Sequence, residues 1–146
     1  MRLISHRGNI NGRIRELENL PDYIDAAINL GYDVEVDLWL KGEKIYLGHD
    51  GPDHSIDMAW LTQRSKNLWV HCKNTEAMSF LSKIGSDLNY FWHQEDTLTL
   101  TSKRYIWVYP GKQPIENSIS VMPEIKNDDT SLCIGICSDY ILKYRK

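Results

Sequence analysis

The sequence predicts an α/β fold, either a parallel sheet or a β/α barrel, on three observations. Strand-like and helix-like segments alternate through the first half, the order that parallel sheets require. Polar side chains fall on one face of several strands and at their C-terminal ends. The second half keeps the strands but shortens the connections. A complete eightfold β/α barrel takes about 250 residues and rarely fewer than about 200. With 146 residues, a barrel here must be trimmed, with about seven or eight strands and several outer helices missing.

The elements follow in order. Residues 3–6 read as a short strand ending in His-Arg-Gly. Asn19 suits an N-cap and Pro21 the first helical turn. Ile24, Ala27 and Ile28 then share a helical face, and Gly31 stops the helix. Residues 33–40 form a strand, residues 41–43 a turn and residues 44–49 a returning strand, so a β-hairpin is inserted after strand 2. Asp57 caps a short helix reaching about residue 64. Residues 68–73 are the next strand. Asn74 caps a helix with Ala77, Met78 and Leu81 on one face, stopped by Gly85. Further strands are expected at 90–93, 105–109, 119–122 and 133–138. The connections over 111–117 and 126–131 leave little or no room for helices.

Composition excludes several classes. The hydrophobic fraction is 42% and the charged fraction 25%, as in ordinary globular domains, so one domain over residues 1–146 is expected. Seventeen Lys and Arg against 20 Asp and Glu give a net charge of −3, which argues against a nucleic-acid partner. The basic end, Lys143 to Lys146, reads as a solvated tail. No apolar run reaches the ~18–20 residues of a transmembrane helix, so no integral membrane association is expected. The N-terminus turns polar too early for a signal peptide. Cys72, Cys133 and Cys137 are odd in number, which fits a reduced, cytoplasmic protein. Cys133 and Cys137, placed in one strand, would lie roughly 13 Å apart, too far for a disulfide.

The histidines carry the functional signal. His6, His49, His71 and His93 fall at or near strand C-termini, and only His54 falls in a loop. By period-2 alternation, Val34, Val36 and Leu38 share one strand face, and Glu35 and Asp37 the other. Leu68, Val70 and Cys72 likewise oppose Trp69, His71 and Lys73. A strand with one polar face is commonly a half-exposed antiparallel strand. Helices covering a parallel sheet would instead turn that polar face inward, toward the end where barrels keep their active sites.

These motifs, His6-Arg7-Gly8, Glu18-Asn19, Glu35-Val36-Asp37 and His49-Asp50, form an ordered set. Over residues 1–54 the set resembles the glycerophosphodiester phosphodiesterase family, phospholipase-C-like enzymes with a TIM-barrel fold. The resemblance implies a short, divergent member, a trimmed TIM-like (β/α) barrel that hydrolyses a small phosphodiester. It implies His6 and His49 as the catalytic acid and base, with Glu35 and Asp37 as cation ligands. Arg7 and Lys73 would bind the phosphate oxygens. The family's Glu-x-Lys is replaced by His71-Cys72-Lys73, so a metal-ligand glutamate is histidine here. Residues 135–140 resemble the family's closing Gly-Ile-x-Thr-Asp strand.

Oxygen ligands fit Mg²⁺ or Ca²⁺. His71 as third ligand would favour Mn²⁺ or Zn²⁺, and Glu124 and Glu95 are other candidates. Histidine suits acid-base work because it titrates near neutrality. Trp39, Trp92, Trp107 and Tyr109 fall where a leaving group would stack or where a core would be filled. His93, Glu95 and Asp96 would line the mouth or cap the following turn. Two other activities fit the same scaffold. One is an inactive phosphoester- or sugar-phosphate-binding module. The other is a metal-independent phospholipase-C-like lyase using Arg7 and Lys73. Missing helices would bare the outer faces of Ile106/Val108 and Ile119/Val121, which implies a homo-oligomer.

Overall fold

A computed structural model describes residues 1–84 and 87–146. Ten strands among these residues form a single sheet. They are β1 (Arg2–His6), β2 (Asp33–Lys41), β3 (Lys44–Leu47), β4 (His54–Ile56), β5 (Leu68–Cys72), β6 (Asn89–Phe91), β7 (Leu98–Leu100), β8 (Ile106–Val108), β9 (Ser118–Val121) and β10 (Gly135–Ser138). The helices are α1 (Pro21–Asn29), α2 (Met58–Gln63) and α3 (Thr75–Ile84), with 3-10 turns at Pro123–Ile125 and Ile141–Tyr144. This is a mixed α/β architecture with few helices.

A parallel run, β6-β5-β2-β1-β10-β9-β8, makes up the body of the sheet. The sheet curls so far that side chains from its two ends meet. Phe91 of β6 lies 4.7 Å from Trp107 of β8, ring centroid to ring centroid. No ladder joins β6 to β8 among the described residues, so the sheet is curled but not closed, and the expected TIM-like barrel is not shown. β6 is only three residues long, and its outer edge bonds irregular chain instead. Ser102 N–H donates to the Tyr90 carbonyl at 2.8 Å, and Tyr90 N–H donates to Ser102 Oγ at 3.0 Å. β7, unexpected from the sequence, pairs antiparallel with β8 at the far edge.

The expected hairpin is present, with β3 antiparallel to the C-terminal half of β2. It extends further than expected, because β4 adds to β3 and starts at His54, which is therefore not in a loop. The long β2 serves two partners. Its first half bonds β1 and β5, and its end bonds β3.

Alternation sorts each strand between two layers. Val34, Val36, Leu38, Leu68, Val70 and Cys72 point outward and pack under Ile24 and Ala27 of α1 and Ala77 and Leu81 of α3. Ile4, Trp69, Phe91, Trp107, Ile119, Val121 and Cys137 fill the concave side. Ile119 and Val121 therefore face inward, contrary to the expected bare outer surface. Ser118 and Ser120 alternate with them and are fully buried, as is Val108. The accessible surface is 7851 Å², close to the roughly 7,700 Å² that scaling gives for this mass. Shortened connections, not extra exposed sheet, replace the missing helices.

Local caps explain the helix ends. Asp57 Oδ1 accepts from Trp60 N–H at the start of α2, and Asn74 Oδ1 accepts from Ala77 N–H at the start of α3. Asn19 does not cap α1, whose N-cap is Leu20 with no side-chain bond. Gly31, at φ 88°, ends α1 as expected. Gly85, expected to end α3, lies outside the described residues. Cys133 precedes β10 and does not share it with Cys137; all three cysteines are buried free thiols. The basic tail is largely solvated as expected, with Lys143, Arg145 and Lys146 exposed, but it is tethered at one point. Arg145 donates to the Leu30 carbonyl and stacks 4.5 Å from the Tyr32 ring, closing the C-terminal end of α1. No helix among the described residues is long and apolar enough to cross a membrane.

Candidate active site

The parallel register brings the predicted residues together. His6 lies beside Glu35, and Asp37 lies beside His71. His6 ends β1 and His71 lies near the end of β5, while Glu35 and Asp37 sit in the first half and at the middle of the longer β2; all four face the concave side. Arg7, Lys73 and His93 follow the ends of β1, β5 and β6, and His49 follows the hairpin strand β3. A cavity of about 560 Å³ opens there, lined by His6, Arg7, Glu35, His49, His71 and Lys73, and farther out by His93, Trp107 and Tyr109. Six of the seven predicted site residues line it. The seventh, Asp37, is fully buried directly beneath.

Asp37 is the hub. Its Oδ2 lies 2.9 Å from Arg7 Nε and 3.4 Å from His49 Nδ1, and it accepts from Asn19 Nδ2 at 2.9 Å. Its Oδ1 lies 3.2 Å from His71 Nδ1 and 3.6 Å from Lys73 Nζ. Burial opposes ionisation, yet the His49 and His71 contacts and the Arg7 charge hold Asp37 well below the usual carboxylate range. Glu35 is pushed the other way, by burial and by the Asp37 charge, against a weaker pull from His6 and Arg7. The two neighbouring carboxylates thus disfavour each other's ionisation.

The histidines hold defined tautomers. His6 Nδ1 donates to Asp139 Oδ1 at 2.7 Å, so Nε2 is directed into the site, 3.8 Å from Glu35 Oε2. Burial lowers the His6 pKa, but the Asp139 bond and the Glu35 charge outweigh it and raise the net value. His49 Nε2 is 3.5 Å from Arg7 Nη2. The guanidinium only donates, so His49 carries its proton on Nδ1, facing Asp37.

A second layer holds Arg7. His6-Arg7-Gly8 turns through left-handed backbone, with φ 55° at Arg7 and 94° at Gly8. A Cβ on Gly8 would come within 2.5 Å of Tyr23 Cδ1, so glycine is required for the turn to pack on α1. Glu18 accepts from Arg13 Nε at 2.9 Å and from Asn9 Nδ2 at 3.0 Å, and lies 3.4 Å from Arg7 Nη1. Burial pushes Glu18 up, but these bonds and charges prevail and lower its pKa. Asn9 also donates to Asp139 Oδ1 at 2.9 Å, linking the anchors of Arg7 and His6.

Residues 35, 37 and 71 could hold a metal: one ligand atom from each lies within 4.8 Å of the others. Asp37 Oδ1 and Glu35 Oε2 are buried without a hydrogen bond, an arrangement that a cation would satisfy. No family model, curated protein or solved structure matches the chain. The residues themselves therefore carry the functional argument.

Several expectations are corrected. Glu124 accepts from Ser138 Oγ at 2.7 Å and from Tyr144 Oη at 3.1 Å, outside the metal cluster. Glu95 lines the cavity but is not in that cluster. Trp39 donates to the Gly48 carbonyl at 2.7 Å, bracing the hairpin, and Trp92 packs on the helix-side core. Only Trp107 and Tyr109 of the four aromatics line the cavity. His93 does both things expected of its cluster: it lines the cavity, and its Nε2 donates to the Asp96 carbonyl at 2.7 Å.

Asp139, Asn9 and Asn19 are the residues that sequence reasoning missed as site members. Each lies inside or next to a motif that was visible, so a search for partners of His6, Arg7 and Asp37 within those motifs could have found them.

Proposed function

We propose that the chain is a metal-dependent phosphodiesterase acting on a small, glycerophosphodiester-like substrate, on a trimmed TIM-like barrel. One observation carries the reading: two imidazoles, a buried carboxylate pair and two phosphate-seeking cations converge at one open cavity. His6 Nε2 lies 3.8 Å from Glu35 and His49 Nδ1 lies 3.4 Å from Asp37, and the two rings are held by different anchors.

Charge supports the same reading. Glu18, Glu35, Asp37, Asp139 and the cavity-lining Glu95 outnumber Arg7, Arg13 and Lys73, so the site is net negative when all are ionised. An anionic phosphodiester would be repelled. A bound divalent cation would offset that excess and remove the repulsion.

Glu35, Asp37 and His71 would hold the cation, whose contribution is to polarise phosphoryl oxygen and neutralise charge. Arg7 presents a forked guanidinium and Lys73 a point charge to the remaining phosphate oxygens. His6, with Nδ1–H fixed on Asp139, accepts or delivers a proton at Nε2. His49, with Nδ1–H toward Asp37, does so at its own Nε2 once a phosphate draws Arg7 away. One imidazole takes the proton from the attacking hydroxyl and the other gives a proton to the leaving alkoxide.

The test is hydrolysis of a chromogenic phosphodiester with Mg²⁺, Ca²⁺, Mn²⁺, Zn²⁺ or chelator, beside H6A and H49A. The expected result is metal-dependent turnover lost in both variants. Turnover that survives the chelator would favour the lyase. Folded protein that binds the ester without turnover would favour the binding module.

A further inference from the structure

We infer that the cation site selects a borderline transition-metal ion, Zn²⁺ or Mn²⁺, over Mg²⁺ and Ca²⁺, because its third donor is a tautomerically fixed imidazole nitrogen of His71. The inference rests on the phosphodiesterase reading in one respect, that Glu35 and Asp37 hold a cation.

The tautomer follows from geometry. His71 Nε2 lies 2.7 Å from the backbone carbonyl oxygen of His93. A carbonyl only accepts, so Nε2 keeps its proton and, in the neutral ring, Nδ1 presents a lone pair. That lone pair lies 3.2 Å from Asp37 Oδ1 and 3.7 Å from Glu35 Oε1. With no ion bound, a proton on Nδ1 can bridge to Asp37 Oδ1; a metal ion that displaces that proton takes the same nitrogen and the same carboxylate oxygens. Two donors each about 2.1 Å from one ion are at most about 4.2 Å apart, and both separations meet that limit.

The ring is held for this task. Phe91 stacks on it with centroids 5.2 Å apart and planes 10° from parallel. The His93 carbonyl is itself steadied, because the His93 side chain bonds back to the Asp96 carbonyl. A ring N–H donated to a backbone carbonyl is the outer-shell device that orients a metal-ligating histidine.

The donor chemistry sets the preference. Ca²⁺ takes 6–8 oxygens and Mg²⁺ takes oxygen donors in an octahedron. Here one of the three side-chain donors is nitrogen, which suits zinc and its neighbours and follows the order in which Mn²⁺ binds more weakly than Zn²⁺. Lys73 and Arg7 already engage Asp37, which further reduces the free oxygen donors available to a hard ion.

The experiment is calorimetric titration of chelator-stripped protein with Zn²⁺, Mn²⁺, Mg²⁺ and Ca²⁺, with pulsed electron paramagnetic resonance of the Mn²⁺-loaded protein. The expected order is Zn²⁺, then Mn²⁺, with Mg²⁺ and Ca²⁺ weakest. Nitrogen modulation from one imidazole is expected on Mn²⁺ and is lost in H71E. That variant, or H71Q where H71E does not fold, should narrow the Mn²⁺-to-Mg²⁺ preference by at least about tenfold. Mg²⁺ or Ca²⁺ binding as tightly as Mn²⁺, or no nitrogen coupling in the wild type, would overturn the inference and leave the phosphodiesterase reading standing. Failure of all four ions to bind would remove the cation site and that reading together.

Discussion

Asp139 Oδ1 and His6 Nδ1 lie 2.7 Å apart although 133 residues separate them in the chain. Pairing of β1 with β10 makes the contact possible. It fixes a proton on Nδ1 and leaves Nε2 facing the cavity. D139N should keep the fold but lower kcat by about 10²–10⁴-fold, the range of one acid-base group. Steady-state kinetics beside a melting curve checks this; unchanged kcat would make Asp139 merely structural.

Asn19 is bound to Asp37 twice, donating to Oδ2 at 2.9 Å and accepting from the backbone N–H at 3.0 Å. N19A should destabilise the protein by about 2 kcal/mol, through two buried groups left unpaired. It should also weaken cation affinity by about 10–100-fold, as loss of an outer-shell partner does. Denaturant melts and a metal titration measure the two effects separately.

Gly48 positions His49. Its φ is 152°, and a Cβ there would lie 2.0 Å from the Gly51 carbonyl oxygen. G48A must shift the 48–51 turn at a cost of about 1–3 kcal/mol and move His49 with it. Turnover should fall more than stability does. A variant with wild-type kcat would show that the turn absorbs the methyl without moving His49.

Glu18 gives a pH dependence of stability. Its folded pKa is depressed, so its contribution is full above the unfolded value of about 4.3 and is lost as pH falls through the folded value. Wild-type unfolding free energy should therefore drop with acidification below that point, and E18Q should drop less steeply. Equal slopes in urea melts between neutral and acidic pH would contradict this.

The sequence made the site legible because parallel strands alternate strictly. Once helices cover one face, Glu35, Asp37 and His71 have to point inward. Asn19 has a residue type that suits an N-cap, yet it adopts φ 63° and turns its amide toward Asp37. Tertiary demand overrode local propensity there. β4 and β7 are three residues long, too short to show a period. The inward turn of Ile119 and Val121 was unreadable because the buried Ser118 and Ser120 that alternate with them look like surface residues. Incomplete closure beside β6 depends on Ser102 bonding Tyr90, which no local pattern announces.

The central claim is that this cavity cleaves a phosphodiester with His6 and His49. The most direct measurement is phosphorus NMR of glycerophosphocholine incubated with metal-loaded wild-type protein, with H6A, and with wild type in chelator. A growing phosphomonoester signal is expected in the first sample and an unchanged diester signal in the other two. An unchanged diester in all three, or equal conversion by H6A, would contradict the claim.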